Sequence, residues 1–300
     1  MMFSLNVNSI RDVLKRQGKR AVAVVDLPRY TKEHLDLRAL NLSTDLLKGM
    51  GKSDIERIRD TGDKCGCTCL MLSEPTPFAF GDSNSKKGQD AGQAGIDRMK
   101  RVMTAANLLG CNSVALSIKT KDSEDAFESV VDRMKQILEV ADRIDMNVLI
   151  SPMAGMTSSA ERVTELVKAI GGFRIGTNPD FETAHASGDP AGYLRKLTPY
   201  ATVVNASTLG FTEAEPDEEM MEKAGELTGL DALAAELEAM SDDEPPVHTG
   251  YDLGPLVGAV KAVGFDGTIS LDYRGGGDGT LGVMQSREAI EAAIQALADA

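Results

Sequence analysis

YDLGPLVGAVKAVGFDGTISLDYRG, residues 251–275, holds the pattern that decides the fold. Apolar residues recur at intervals of three and four through LGPLVGAVKAVGF (253–265), which predicts a helix with one buried stripe. A Gly-Phe-Asp-Gly turn follows, and then GTISLDY (267–273), a short β-rich run that stops in an acid and a tyrosine. Helix, tight turn and strand form a repeatable α/β step.

It recurs along the whole length. Strands are predicted at 3–7, 37–43, 67–74, 112–119, 147–151, 173–177, 201–207 and 267–273. Helical patterns lie between them, including 53–66, 94–110, 123–144 and 159–172. The first of these is read as opening at Ser53, with an acid three residues on, and stopping at Gly66. Eight strands alternating with helices at a mean spacing of about 35 to 40 residues predict an α/β fold of the (β/α)8 TIM barrel type. A two-domain dinucleotide-binding protein is the alternative, but no GxGxxG follows an early strand, and GGGDG (275–279) comes after the last one. That glycine run is expected to be a flexible loop over the barrel mouth. The whole chain, 1–300, is read as one barrel domain. Within it, the strongly acidic segment 212–247 is an expected helical insertion after strand seven, serving as a solvated excursion, a lid or a contact between copies.

A net charge of −14 argues against nonspecific binding to nucleic acid or anionic membranes. No apolar run approaches the roughly 20 residues that span a bilayer, and the N-terminal stretch lacks the features of a signal peptide, so a cytoplasmic protein is expected. Cys65, Cys67 and Cys69 fall at alternate positions, the last two on a predicted strand, and Cys111 is remote. That spacing suits buried reduced thiols better than a zinc site, whose paired cysteines are normally separated by two to four intervening residues.

Catalytic groups of such barrels occupy the C-terminal ends of the strands. The polar residues predicted there are Asn6, Asn8, Asn41, Asp45, Glu74, Lys119, Ser151, Asn178, Asp180, Asn205, Ser207, Asp272 and Arg274. Asp180 and Asp272 belong to strands separated by one other, so they are candidates to converge on a divalent cation, which favours oxygen ligands. His34 is expected on a helix surface, whereas His185 and His248 lie in segments that can overhang the mouth. There is no GxSxG and no HExxH.

LRALNLSTDLL (37–47), IERIRDTGDKCGCTCLML (55–72), FRIGTNPDFE (173–182), and residues 251–275 followed by GVMQSREAI (282–290) resemble successive βα units of the xylose isomerase-like TIM barrels, the sugar phosphate isomerases and epimerases. The resemblance implies a divalent metal (Mn, Mg or Zn) held by carboxylates and a histidine from strands five to eight. It also implies two acids, on strands five and eight, that exchange a proton beside a carbonyl. By the same resemblance Asp180 and Asp272 are metal ligands and Asn205 stands where a histidine is common. Asp272 is one methylene shorter than the family's glutamate, a difference in reach of about 1.5 Å. Ser151 falls on the strand-five glutamate, and a hydroxyl offers a cation no charge. Two readings follow. One is a metal-assisted isomerase or epimerase of a sugar or sugar phosphate, with Glu74 or His248 as replacement proton carrier beside Asp272, and with Asn41, Lys119, Ser151 and Arg274 on the substrate. The other is a noncatalytic barrel that binds a sugar-like ligand, or a protein partner through the acidic insertion. The metal-rich endonuclease relatives need more histidines than the three present.

Overall fold

The computed structural model describes residues 1–18, 21–80, 86–212 and 245–299. Eight strands, β1 (Met2–Asn6), β2 (Ala39–Ser43), β3 (Thr68–Ser73), β4 (Ser113–Leu116), β5 (Asn147–Ile150), β6 (Ile175–Thr177), β7 (Val203–Thr208) and β8 (Thr268–Tyr273), pair in parallel in the order β6-β5-β4-β3-β2-β1-β8-β7. Isolated bridges between Thr177 and Ala201 and between Asp180 and Asn205 join the two ends of that sheet. The result is the expected TIM barrel, and each strand falls within or within one residue of its predicted segment.

The helices are α1 (Arg11–Leu14), α2 (Leu27–Leu35), α3 (Lys52–Cys65), α4 (Lys86–Leu109), α5 (Glu124–Arg143), α6 (Ala160–Ile170), α7 (Phe181–Ala186), α8 (Pro190–Leu197), α9 (Leu253–Ala262) and α10 (Gly279–Asp299). Ser123 caps α5 and Ser159 caps α6, each accepting a main-chain N–H from its helix's first turn. α3 begins two residues earlier than predicted. Its N-cap is Gly51, whose N–H donates to Asp54 Oδ2 at 3.0 Å, while Glu56 faces Lys52 at 3.7 Å. Asp54 and Glu56 thus defined two possible registers of the same capping pattern, and the acid at 54 took it. Gly66 does end the helix, at φ 70°.

α4 starts at Lys86, well before the predicted 94, because its glycines are packing positions and not breaks. A Cβ on Gly92 would collide with the Arg133 guanidinium of α5, which reaches across to the carbonyl of Gly88 at 3.3 Å. Lys86 and Lys87 are exposed residues of this helix.

Two apolar layers follow from the alternation of side chains along each strand. Outward-facing residues and the inner helix stripes form one large core that includes Phe78, Phe80, Phe181, Leu72, Val204 and Leu271. Inside the barrel a small cluster, Met71, Ala115, Leu149 and Val203, plugs the lumen. The lumen is otherwise unusually polar: Asn41 donates to Ser4 Oγ (3.1 Å) and Ser270 Oγ (2.8 Å).

After β7 the chain leaves the barrel and returns through a short antiparallel neck. Phe211 bridges His248, Thr212 N–H donates to the Val247 carbonyl at 3.0 Å, and Thr249 N–H donates to the Gly210 carbonyl at 2.9 Å. Most of the acidic insertion expected over 212–247 lies outside the described residues. No helix of the described residues is long and apolar enough to cross a membrane.

Candidate functional site at the barrel mouth

The ends of β6, β7 and β8 bring Asp180, Asp272 and Arg274 together. β8 delivers Asp272 on its penultimate residue, and the next step of chain is fixed by Arg274 N–H donating to the Thr208 carbonyl at 2.7 Å. Asp180 caps α7, its Oδ1 accepting from Thr183 N–H (3.0 Å) and Thr183 Oγ1 (3.1 Å). Between them lies the Arg274 guanidinium. Its Nε donates to Asp272 Oδ2 at 3.0 Å and its Nη2 to the same oxygen at 2.6 Å. Nη2 also donates to Asp180 Oδ2, and Nη1 donates to Asp180 Oδ1 (3.3 Å) and to Glu182.

Charge and burial pull in opposite directions in this cluster. Asp272 is 3% exposed, and burial raises its carboxyl above the ordinary aspartate range although Arg274 pulls it down. Burial also works against the arginine's charge, but Asp180 and Asp272 outweigh it and hold the guanidinium more firmly protonated than usual. Asp272 Oδ1 is buried with no hydrogen-bond partner. Among the described residues, three carboxylates stand against one guanidinium here, a net negative charge.

Beside it lies a neutral network. Asn205 Nδ2 donates to Asn178 Oδ1 at 3.0 Å, Ser151 Oγ donates to the same oxygen at 3.3 Å, and Asn178 Nδ2 donates to the Val203 carbonyl at 3.1 Å. Asn205 Oδ1 is a second buried acceptor without a donor. A cavity of about 400 Å³ opens beside Glu182, lined also by Met153, Ala154, Ser158, Thr183, Ala186 and Ser187.

The other candidate residues are placed elsewhere or occupied otherwise. The Glu74 carboxylate is taken by Arg98 (3.3 Å), Thr44 Oγ1 (3.1 Å) and Thr76 N–H (2.9 Å), and it borders a separate cleft between α3 and α4. His248 is buried with both ring nitrogens on the main chain: Nε2 accepts from Leu209 N–H at 2.8 Å, and Nδ1 lies 2.8 Å from the Tyr251 carbonyl oxygen. That arrangement fixes the neck and leaves no ring nitrogen facing a ligand. Asn41 sits two residues short of the end of β2, inside the lumen, while Lys119 is exposed. His34 is exposed and stacks on Tyr30, and His185 lies in α7 against the Tyr251 ring with centroids 4.9 Å apart. The glycine run 275–279 is tethered, not free: Tyr273 Oη donates to the Gly276 carbonyl (2.7 Å) and Asp278 pairs with Arg16 (3.2 Å).

One participant has no counterpart among the sequence candidates. Glu182, two residues beyond Asp180 in the first turn of α7, supplies the third acid. Asn178 was visible as a strand-end residue, but its relay between Ser151 and Asn205 was not.

A divalent metal does not fit this donor set. The carboxylates that the resemblance gives to such an ion already enclose a cation of the chain's own, and the strand-five position offers only a serine hydroxyl turned to Asn178. Among the described residues no group of three or more His, Cys, Asp or Glu side chains is arranged to hold a metal ion.

Solved structures share the fold over essentially full length at low identity. L-ribulose 3-epimerase superposes with a TM-score of 0.71 at 11% identity, covering 99% of this chain and 97% of its own. A D-tagatose 3-epimerase-like protein gives 0.68 at 15%, covering 100% and 99%. The IOLI protein with a binding zinc atom gives 0.67 at 15%, covering 99% of each. No curated protein matches the sequence. The model of the xylose isomerase-like TIM barrel matches residues 34–300, and the chain belongs to that family.

Proposed function

We propose that this chain, one barrel over 1–300 with 212–247 as an excursion from it, binds a small polyhydroxylated, sugar-like molecule at its C-terminal mouth without metal-assisted epimerisation. The observation that carries the reading is the pair of buried, donorless acceptors on β7 and β8, Asn205 Oδ1 and Asp272 Oδ1. A buried acceptor left without a donor costs about 1–3 kcal/mol, and ligand hydroxyls are the donors that recover it. The family's solved relatives named for sugar epimerases support the ligand class. Against proton exchange between two opposed acids stands Ser151, because a neutral hydroxyl without an activating base neither removes a carbon-bound proton nor returns one. Glu74 and His248 do not take over that role, since each is committed to other partners.

The test is calorimetric titration with D-fructose, D-xylose, myo-inositol and fructose 6-phosphate, together with incubation of D-fructose and Mn²⁺ and analysis for epimers. The expected result is saturable binding of at least one neutral polyol, weakened about tenfold or more by Asn205→Ala, a loss of about 1.4 kcal/mol. No epimer should form. Absence of binding to every probe, unchanged binding by Asn205→Ala, or metal-dependent turnover would overturn the reading.

A further inference from the structure

We infer that Arg274 is a built-in replacement for a metal ion, so that the acids at the ends of β6 and β8 are organised by a guanidinium fixed in the chain and the site is independent of divalent cations. Five guanidinium-to-carboxylate hydrogen bonds join Arg274 to Asp180, Asp272 and Glu182, and all three of its nitrogens take part. A metal ion draws carboxylates from different strands together by charge and coordination. A planar guanidinium does the same by charge and by a fork of N–H donors, at fixed stoichiometry and with no exchange with solvent.

The backbone is built to deliver it. Arg274 N–H is anchored on the Thr208 carbonyl of β7, and the next residue, Gly275, runs so close to the Leu209 carbonyl that a Cβ there would collide with it. Asp180 is held from the other side by the first turn of α7. The guanidinium is thus locked between β6, β7 and β8, with Asp272 almost wholly enclosed beneath it. The remaining Asp272 oxygen is buried and unpartnered. A second, divalent cation would have to displace the arginine. A saturated guanidinium has no N–H left for a phosphate ester either, so Arg274 works here as a scaffold and not as a substrate anchor.

Replacing the arginine should uncover the acids and create a metal site that the native protein lacks. The experiment is titration of chelator-stripped full-length protein with Mn²⁺, followed by calorimetry and by loss of the free-ion electron paramagnetic resonance signal. Native protein is expected to show no saturable binding at submillimolar Mn²⁺. Arg274→Met is expected to gain a site at least tenfold tighter, lost again when Asp272→Asn is added. Should Arg274→Met fail to fold, Arg274→Gln, whose amide keeps a hydrogen bond to the carboxylates, carries the same expectation. Stoichiometric Mn²⁺ binding by native protein that Asp272→Asn abolishes would overturn the inference. So would an arginine variant that folds and gains no affinity.

Discussion

Arg274 and Asp272, two residues apart at the end of β8, close on one another: the guanidinium returns Nε and Nη2 to the same carboxylate oxygen at 3.0 and 2.6 Å. That pairing holds an otherwise unfavourable buried charge in place. Removing the cation in Arg274→Ala leaves Asp272 enclosed and uncompensated. Breaking a buried pair costs about 3–5 kcal/mol, and the partial exposure of the guanidinium lowers the expectation here to about 2–4 kcal/mol. Urea unfolding at neutral pH measures it.

The same variant should recover in acid. Burial raises Asp272 and Arg274 is the neighbour that lowers it, so deleting Arg274 moves the folded-state carboxyl still higher above its ordinary 3.8. A folded state that holds the proton more tightly than the unfolded chain loses stability as pH rises from the unfolded value through the folded one. The deficit of Arg274→Ala against the native protein should therefore be small near about pH 4 and widen towards neutrality. A deficit that grew towards acid would contradict the assignment.

Gly275→Ala should damage the site from the backbone. The added methyl meets the Leu209 carbonyl and the Tyr273 ring, forcing the β8 exit away from β7. A loss of about 1–3 kcal/mol is expected, accompanied by weaker binding of whichever polyol the native protein takes, because Arg274 moves with its neighbour.

Restoring the strand-five acid with Ser151→Glu should give no metal site while Arg274 remains. Combined with Arg274→Met it should bind Mn²⁺ more tightly than either single variant, with a coupling in the affinities that exceeds their sum. Adjacent ligands to one ion are not independent. Additive affinities would mean that position 151 does not face the same ion.

The cysteines offer a check that is remote from the mouth. Burial pushes the thiols of Cys67 and Cys111 up to about 12 and that of Cys69 well above its ordinary value, whereas Cys65 is only half-buried. Thiolates are the reactive form, so a disulfide reagent at pH 8 should label Cys65 alone in the native protein and all four residues in urea. Rapid labelling of a second residue would place one of the buried three at an opening.

The barrel was legible because each of its steps carried a local signal. In 251–275 a helix stripe, a glycine turn and a β-branched run followed one another, and α9 and β8 occupy those segments. The predicted strand ends likewise put Asp180 just beyond β6 and Asp272 near the end of β8. What sequence could not carry was direction and occupancy. Asn41 lies on a strand near the mouth, yet its third place in β2 turns it onto Ser4 and Ser270 in the lumen. Glu74 directly follows β3, but Arg98 reaches it from α4, twenty-odd residues away. His248 resembled a free proton carrier until Leu209 and Tyr251 supplied partners from the two sides of an insertion. The position of Arg274 was likewise readable, but its insertion between two acids depended on a side chain folding back across the strand end. Local patterns register periodicity and turns, while such long-range pairings are settled only when the barrel closes.

The most direct measurement of the central claim is anomalous diffraction at the manganese edge from crystals of native protein grown with Mn²⁺. The account predicts density for the Arg274 guanidinium between Asp180 and Asp272 and no anomalous peak there. A manganese peak bonded to those two carboxylates, with Arg274 swung away, would contradict it.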